Sequence, residues 1–168
     1  MDNPGDSRFR LKRTAANLPV ESDFDPFGGC LDARSAWRHF GRLSLQQAYD
    51  LFISNPLRYQ EDFMFMGPRA FEYYLPVIDR YLREVPGGED LDGCEAAILG
   101  SGIGLQFDSN DSALSKAAVS EIEDLSAFVR AHLARFSPET GEQGRIEEAW
   151  RQVDVKIAQY RREGEPGH

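Results

Sequence analysis

No run of about twenty apolar residues occurs anywhere in this 168-residue sequence, so none of it has the length and character of a membrane-spanning helix. The opening residues, "MDNPGDSRFR", lack the apolar stretch of a signal peptide. Both absences lead to the expectation of a cytoplasmic protein with no membrane role. Cysteine is nearly missing too: Cys30 and Cys94 stand alone, without CxxC or histidine at ligand spacing. Two reduced thiols suit that pattern better than a zinc site or a disulfide framework, and one bridge between them stays open. Histidine is limited to His39, His132 and His168, which read as surface or packed side chains. No G-x-S-x-G surrounds Ser101, because Leu99 and Ile103 hold the flanking positions, so no nucleophile and base are legible.

Positive charge is in short supply as well. Nineteen Lys and Arg face 28 Asp and Glu, a formal net charge of -9. Nucleic acid and anionic lipid are therefore excluded as main partners, since both require neutralising cations; a basic partner, or none, fits better. The one basic run, "RFRLKR" from Arg8 to Arg13, gives way to the acidic "ESDFD" within a few residues and reads as a solvated arm.

What the chain has is core material. Hydrophobic residues make up 41%, with eleven Phe and six Tyr, enough for one compact domain at this length. Residues 1–31 show no sustained period and read as a partly ordered arm with Phe24 and Phe27 as anchors. A helical domain follows over 32–162, and 163–168 fray. Asp32 is placed to cap a helix carrying Ala36, Trp37 and Phe40, which Gly41 ends. Ser44 and Gln47 have capping-box spacing ahead of Leu45, Ala48, Tyr49 and Phe52.

The clearest stripe is Phe71, Tyr74, Leu75, Ile78, Tyr81, Leu82 and Val85, spaced by threes and fours behind a helix-starting Pro68. Pro76 interrupts it on the polar side of Glu72, Asp79 and Arg83, which predicts a kink and not a stop. Further stripes run through Ala118, Ile122, Leu125, Val129, Leu133 and Phe136, with Ser120 and Glu123 as a cap, and through Ile146, Trp150, Val153, Ile157 and Tyr160. The expectation is an all-α, single-domain, irregular bundle of about five or six helices around a Pro-kinked central helix.

"AAILGSGIGLQFD", Ala96 to Asp108, resembles a dinucleotide turn only in part. Gly100 and Gly102 fit, but Leu105 stands where the third glycine belongs and no parallel strands flank it. Residues 91–107 read as a helix with Leu91, Cys94, Ile98 and Leu105 on one face and Gly100 and Gly104 admitting a neighbour, or as a hairpin about the glycines. The helix is preferred because a hairpin finds no sheet to join. "DSNDSA" imitates the start of a calcium loop, yet Ala113 replaces the turn glycine and Val119 the bidentate Glu. No cofactor and no metal is expected.

One phrase, "YQEDFMFMGPRAFEYYLP" from Tyr59 to Pro76, concentrates aromatic and Met residues beside polar ends. Most of it reads as core, and Glu61, Asp62, Arg69, Glu72 and Tyr73 are the candidate binding residues at an apolar rim. At "FEYYLPVIDRYL" the chain resembles an uncharacterised family of small bacterial helical proteins, a domain of unknown function carrying an F-x-Y-Y-L-P phrase, and "LSAFVRAHLARF" resembles its following helix. The resemblance spans Ala33 to Phe136 and implies a helical fold without implying any catalytic residue. The functional expectation is a protein-protein interaction module, inhibitor or immunity-like; the alternative is a small-molecule binder or enzyme using Tyr59–Pro76.

Overall fold

The structure is a computed structural model that describes residues 18–84, 94–108 and 114–164. The basic run Arg8–Arg13, Val85, Leu91, residues 109–113 of the calcium-like stretch and residues 165–168 of the tail lie outside them. All regular structure among the described residues is helical, so the fold is all-α. The longer helices are α2 (Leu31–Phe40), α3 (Leu45–Ser54), α6 (Pro68–Glu84), α7 (Cys94–Leu105), α8 (Lys116–Ala131) and α10 (Thr140–Gly164). Single turns lie between them: α1 (Glu21–Phe24), α4 (Pro56–Tyr59), α5 (Asp62–Phe65) and α9 (Leu133–Phe136).

Helix α6 forms because its stripe has a helical period, and the stripe closes the core: Phe71, Tyr74, Leu75, Ile78 and Leu82 are all at most 1% exposed. It packs against α1, α3 and α8. Pro76 sits inside the helix without ending it, on the half-buried side where Asp79 and Arg83 pair at 2.9 Å. The Tyr74 hydroxyl reaches across to the loop after α2, within 2.7 Å of the Phe40 carbonyl and 2.9 Å of the Leu43 carbonyl. Burial pushes that hydroxyl's pKa far up. The phenol stays protonated, as a donor to carbonyls must be.

Several local expectations are corrected. Helix α2 begins at Leu31, and Cys30, not Asp32, caps it: the Cys30 sulfur accepts from the Ala33 amide at 3.4 Å. Gly41 ends α2 at an ordinary φ of -53°; the left-handed residue is Arg42, at φ 66°. Phe24 is an anchor, with its ring 5.3 Å from Trp37, but Phe27 is 78% exposed. Helix α8 starts early, capped by Ser115 in place of Ser120, because the Ser115 hydroxyl meets the Ala118 amide. The stripe after Val129 breaks at His132, whose non-helical backbone (φ -129°, ψ 35°) separates α8 from α9, and Leu133 is half-buried. Ser44 and Gln47 do form their reciprocal capping box.

Candidate interaction surface

Helix α7 holds the glycine-rich stretch, so the helical alternative holds and the hairpin does not. Gly100 and Gly102 lie in its middle, where their amides serve the helix ladder. A phosphate would need free amides at a helix start. The glycines serve packing instead. A Cβ at position 100 would fall 2.8 Å from Trp150 Nε1, and that nitrogen donates to the Ala96 carbonyl at 2.8 Å. The inward face is Ala96, Leu99 and Ile103. Of the expected set, Ile98 is only half-buried, and Leu91 and the Cys94 side chain lie outside the described residues. Leu105 is 46% exposed. A helix apolar on every side carries no period that names its inner face, and contact with α10 on one flank and α5 on the other decides it.

Where α7 carries small residues its outward ridge stands low and a groove opens beside it; a second groove lies at its end. The larger, about 730 Å³, runs between α7 and α10 over Gly100, Ser101, Gly104 and Gly144, with Arg145 and Lys156 at its edges. The smaller, about 350 Å³, lies between the loop leading into α2, the α5 turn and the end of α7. Phe27, Met64 and Phe65 line it, with Cys30 and Asp25 beside them. Leu105 borders both grooves.

The smaller groove is held open by polar contacts at its base. Gln106, 6% exposed, donates its side-chain amide to the carbonyls of Phe63 at 3.1 Å and Met66 at 3.0 Å, which fixes α5 against α7. Asp25 accepts from the Cys30 amide at 3.1 Å, shaping the loop that presents Phe27. Gly67 permits the loop's closest approach: a Cβ there would fall 2.2 Å from the Asp23 carbonyl. Cys30 is an exposed free thiol.

The five residues expected at a binding rim have different surroundings, Glu61 and Asp62 at the α5 turn and Arg69, Glu72 and Tyr73 on α6. Glu61 is exposed beside Asp62, which is buried at 8%. Arg69 pairs with Asp23 at 3.5 Å near α1. Glu72 accepts from the Ser115 hydroxyl at the start of α8. Tyr73 is 7% exposed with its ring edge-on to Tyr74, 4.9 Å away.

Asp62 has a partner that sequence spacing did not suggest. His39 Nδ1 stands 2.7 Å from Asp62 Oδ2, joining α2 to α5, and the imidazole meets the Tyr59 ring edge-on at 5.1 Å. Burial raises the Asp62 pKa, while the hydrogen bond and charge of His39 pull it down. A carboxylate so placed fixes the tautomer of the imidazole when it is neutral, with the proton on Nδ1. His132 instead lies on the Phe128 ring, at 4.4 Å between centroids, with Nδ1 2.7 Å from the Phe128 carbonyl. No group of three or more metal-ligating side chains occurs among the described residues. Comparison with family models, with curated proteins and with solved structures finds no match for this chain.

Proposed function

We propose that this chain is a cytoplasmic protein-protein interaction module, inhibitor or immunity-like, that receives its partner on the surface either side of α7. One observation carries the reading: Phe27, 78% exposed, and Leu105, 46% exposed, stand at a groove walled by Met64 and Phe65. Large apolar side chains displayed together on a soluble domain mark binding surfaces, and aromatic residues and Met are enriched in interface centres. The same reading takes residues 32–162 as the helical domain, with α6 bent at Pro76, and residues 1–31 as a partly ordered arm that Phe24 anchors to the core. Affinity capture from the native host, quantified for the parent chain and for Phe27→Ser with Leu105→Ser, tests it. A partner recovered by the parent and lost from the double variant supports the reading. Equal recovery by both places the interface elsewhere.

The size of the smaller groove favours a second reading, a small-molecule site in the Tyr59–Pro76 region, since about 350 Å³ is within the range of ligand pockets. A metabolite screen read by thermal shift separates the two, because a saturable response that Leu105→Ser abolishes belongs to this reading.

A further inference from the structure

The proposal above leaves open what kind of partner segment the smaller groove accepts, and the charges around it address that. Phe24 to Phe27, Cys30 and Ala33 form one wall, with Asp25 as its one lining carboxylate. The segment that carries them, residues 18–34, also holds Glu21, Asp23 and Asp32 against one guanidinium, Arg34. Asp23 is answered by Arg69 at 3.5 Å. Asp25 lines the groove itself and accepts only a neutral backbone amide, with no cation paired to it among the described residues. Glu21 and Asp32 are exposed and likewise unpaired among the described residues. On the far side, Asp108 is neutralised by Lys156 at 2.7 Å. Among the described residues, the Phe27 side thus keeps Glu21, Asp25 and Asp32 against Arg34, an excess of negative charge.

An apolar groove with a one-sided acidic lip selects a segment of matching pattern. Resting on the interaction reading, we propose that this groove binds a cationic segment of a protein partner, which seats an aromatic or aliphatic side chain between Phe27, Met64 and Leu105 and aligns Lys or Arg with Asp25, Glu21 and Asp32. The apolar anchor supplies lifetime, and the carboxylates supply orientation and association rate. An acidic segment is repelled, and a basic segment without an anchor is held only by screened charge.

The test uses three synthetic peptides of about twelve residues, a length suited to one extended or helical recognition segment. The first alternates Arg with Phe, the second replaces Arg with Glu, and the third replaces Phe with Ala. Binding to the full chain is followed by fluorescence anisotropy at low and at physiological salt. The Arg/Phe peptide is expected to bind at least roughly tenfold more tightly than either control. Its affinity falls with salt, and it weakens about tenfold with Phe27→Ser plus Leu105→Ser. Neutralising Glu21, Asp25 and Asp32 to Gln, Asn and Asn removes most of the salt dependence and leaves the groove apolar. Asn at position 25 keeps an acceptor for the Cys30 amide, so that variant retains the loop.

If the Glu/Phe peptide binds equally well and the Phe27 and Leu105 substitutions still abolish binding, the cationic assignment falls while the interaction reading stands. If no peptide binds in a way that depends on Phe27 and Leu105, both fall. A concentration-dependent dimer in sedimentation, dispersed by Leu105→Ser, assigns the groove to a second copy of the chain and overturns the proposal.

Discussion

Gly100 and Trp150 meet where α7 packs on α10: the indole nitrogen passes 2.8 Å from where a Cβ on residue 100 would stand and donates to the carbonyl of Ala96. Trp150 is fully buried, so it has no space into which to withdraw. The glycine costs about 1 kcal/mol in helix propensity, and the close crossing it permits offsets that cost.

Gly100→Ala should therefore destabilise the chain despite the better helix former, by roughly 1–3 kcal/mol, the usual range for overpacking a filled core. Urea unfolding followed by tryptophan fluorescence measures this. A stabilised variant would mean that the two helices separate freely at this point.

Tyr74→Phe removes the hydroxyl that serves the Phe40 and Leu43 carbonyls from inside the core. The Phe40 carbonyl keeps the Leu43 amide at 3.1 Å, so the main loss falls on Leu43. A cost of about 1–2 kcal/mol is expected, as for a buried acceptor left without its donor. Hydrogen exchange should show the Gly41–Leu43 loop loosened before the rest of the fold.

Arg42 holds a left-handed φ of 66°, and its guanidinium lies 5.6 Å from the centre of the Trp37 ring. Left-handed backbone costs a non-glycine residue about 1–2 kcal/mol, more than an exposed cation–π contact of about 0.5–1 kcal/mol returns. The greater unfolded-chain entropy of glycine takes back about 0.4–1 kcal/mol more, so Arg42→Gly is expected to leave stability within about 1 kcal/mol of the parent. A loss in urea unfolding clearly larger than this would show that the ring contact dominates.

For Asp62 the sign of the pH dependence follows from burial. Its folded pKa lies above the usual value of 3.8, so the native state holds the proton more tightly than the unfolded chain. The resulting stabilisation is complete below 3.8 and is lost as pH rises through the folded value. Asp62→Asn, which can still accept from His39 Nδ1, lacks this loss and should gain on the parent as pH rises from 3.8 through the folded value. Denaturation across that window checks the slope. A variant that loses ground toward neutral pH would show that the attraction of His39 outweighs burial.

Much of this architecture is legible in the sequence because strong helical periods survive in it. Phe71 through Leu82 and Ile146 through Ile157 name their own buried faces, and Ser44 with Gln47 names a helix start. The candidate surface is less legible, for physical reasons. Helix α7 is apolar all round, so Leu105 looks as buried as Leu99 until α5 and α10 cover one and not the other. Phe24 and Phe27 are indistinguishable in composition, and only the turn at Asp25 sends one inward and the other outward. The partnership of His39 with Asp62 depends on α2 meeting α5, a contact between separated stretches that no local spacing encodes. Glu61, Asp62, Arg69, Glu72 and Tyr73 are near one another in sequence, yet they fall on two elements, α5 and α6, and meet different neighbours.

The most direct test of the interaction surface is site-specific photocrosslinking in the native host, with the crosslinking side chain placed in turn at Phe27, Leu105 and Val155. Val155 is also exposed, at 50%, but lines neither groove. A single discrete protein adduct from Phe27 and Leu105, absent from Val155, is the result expected of a partner seated beside α7. Adducts of equal yield at Val155, or none at Leu105, would contradict it.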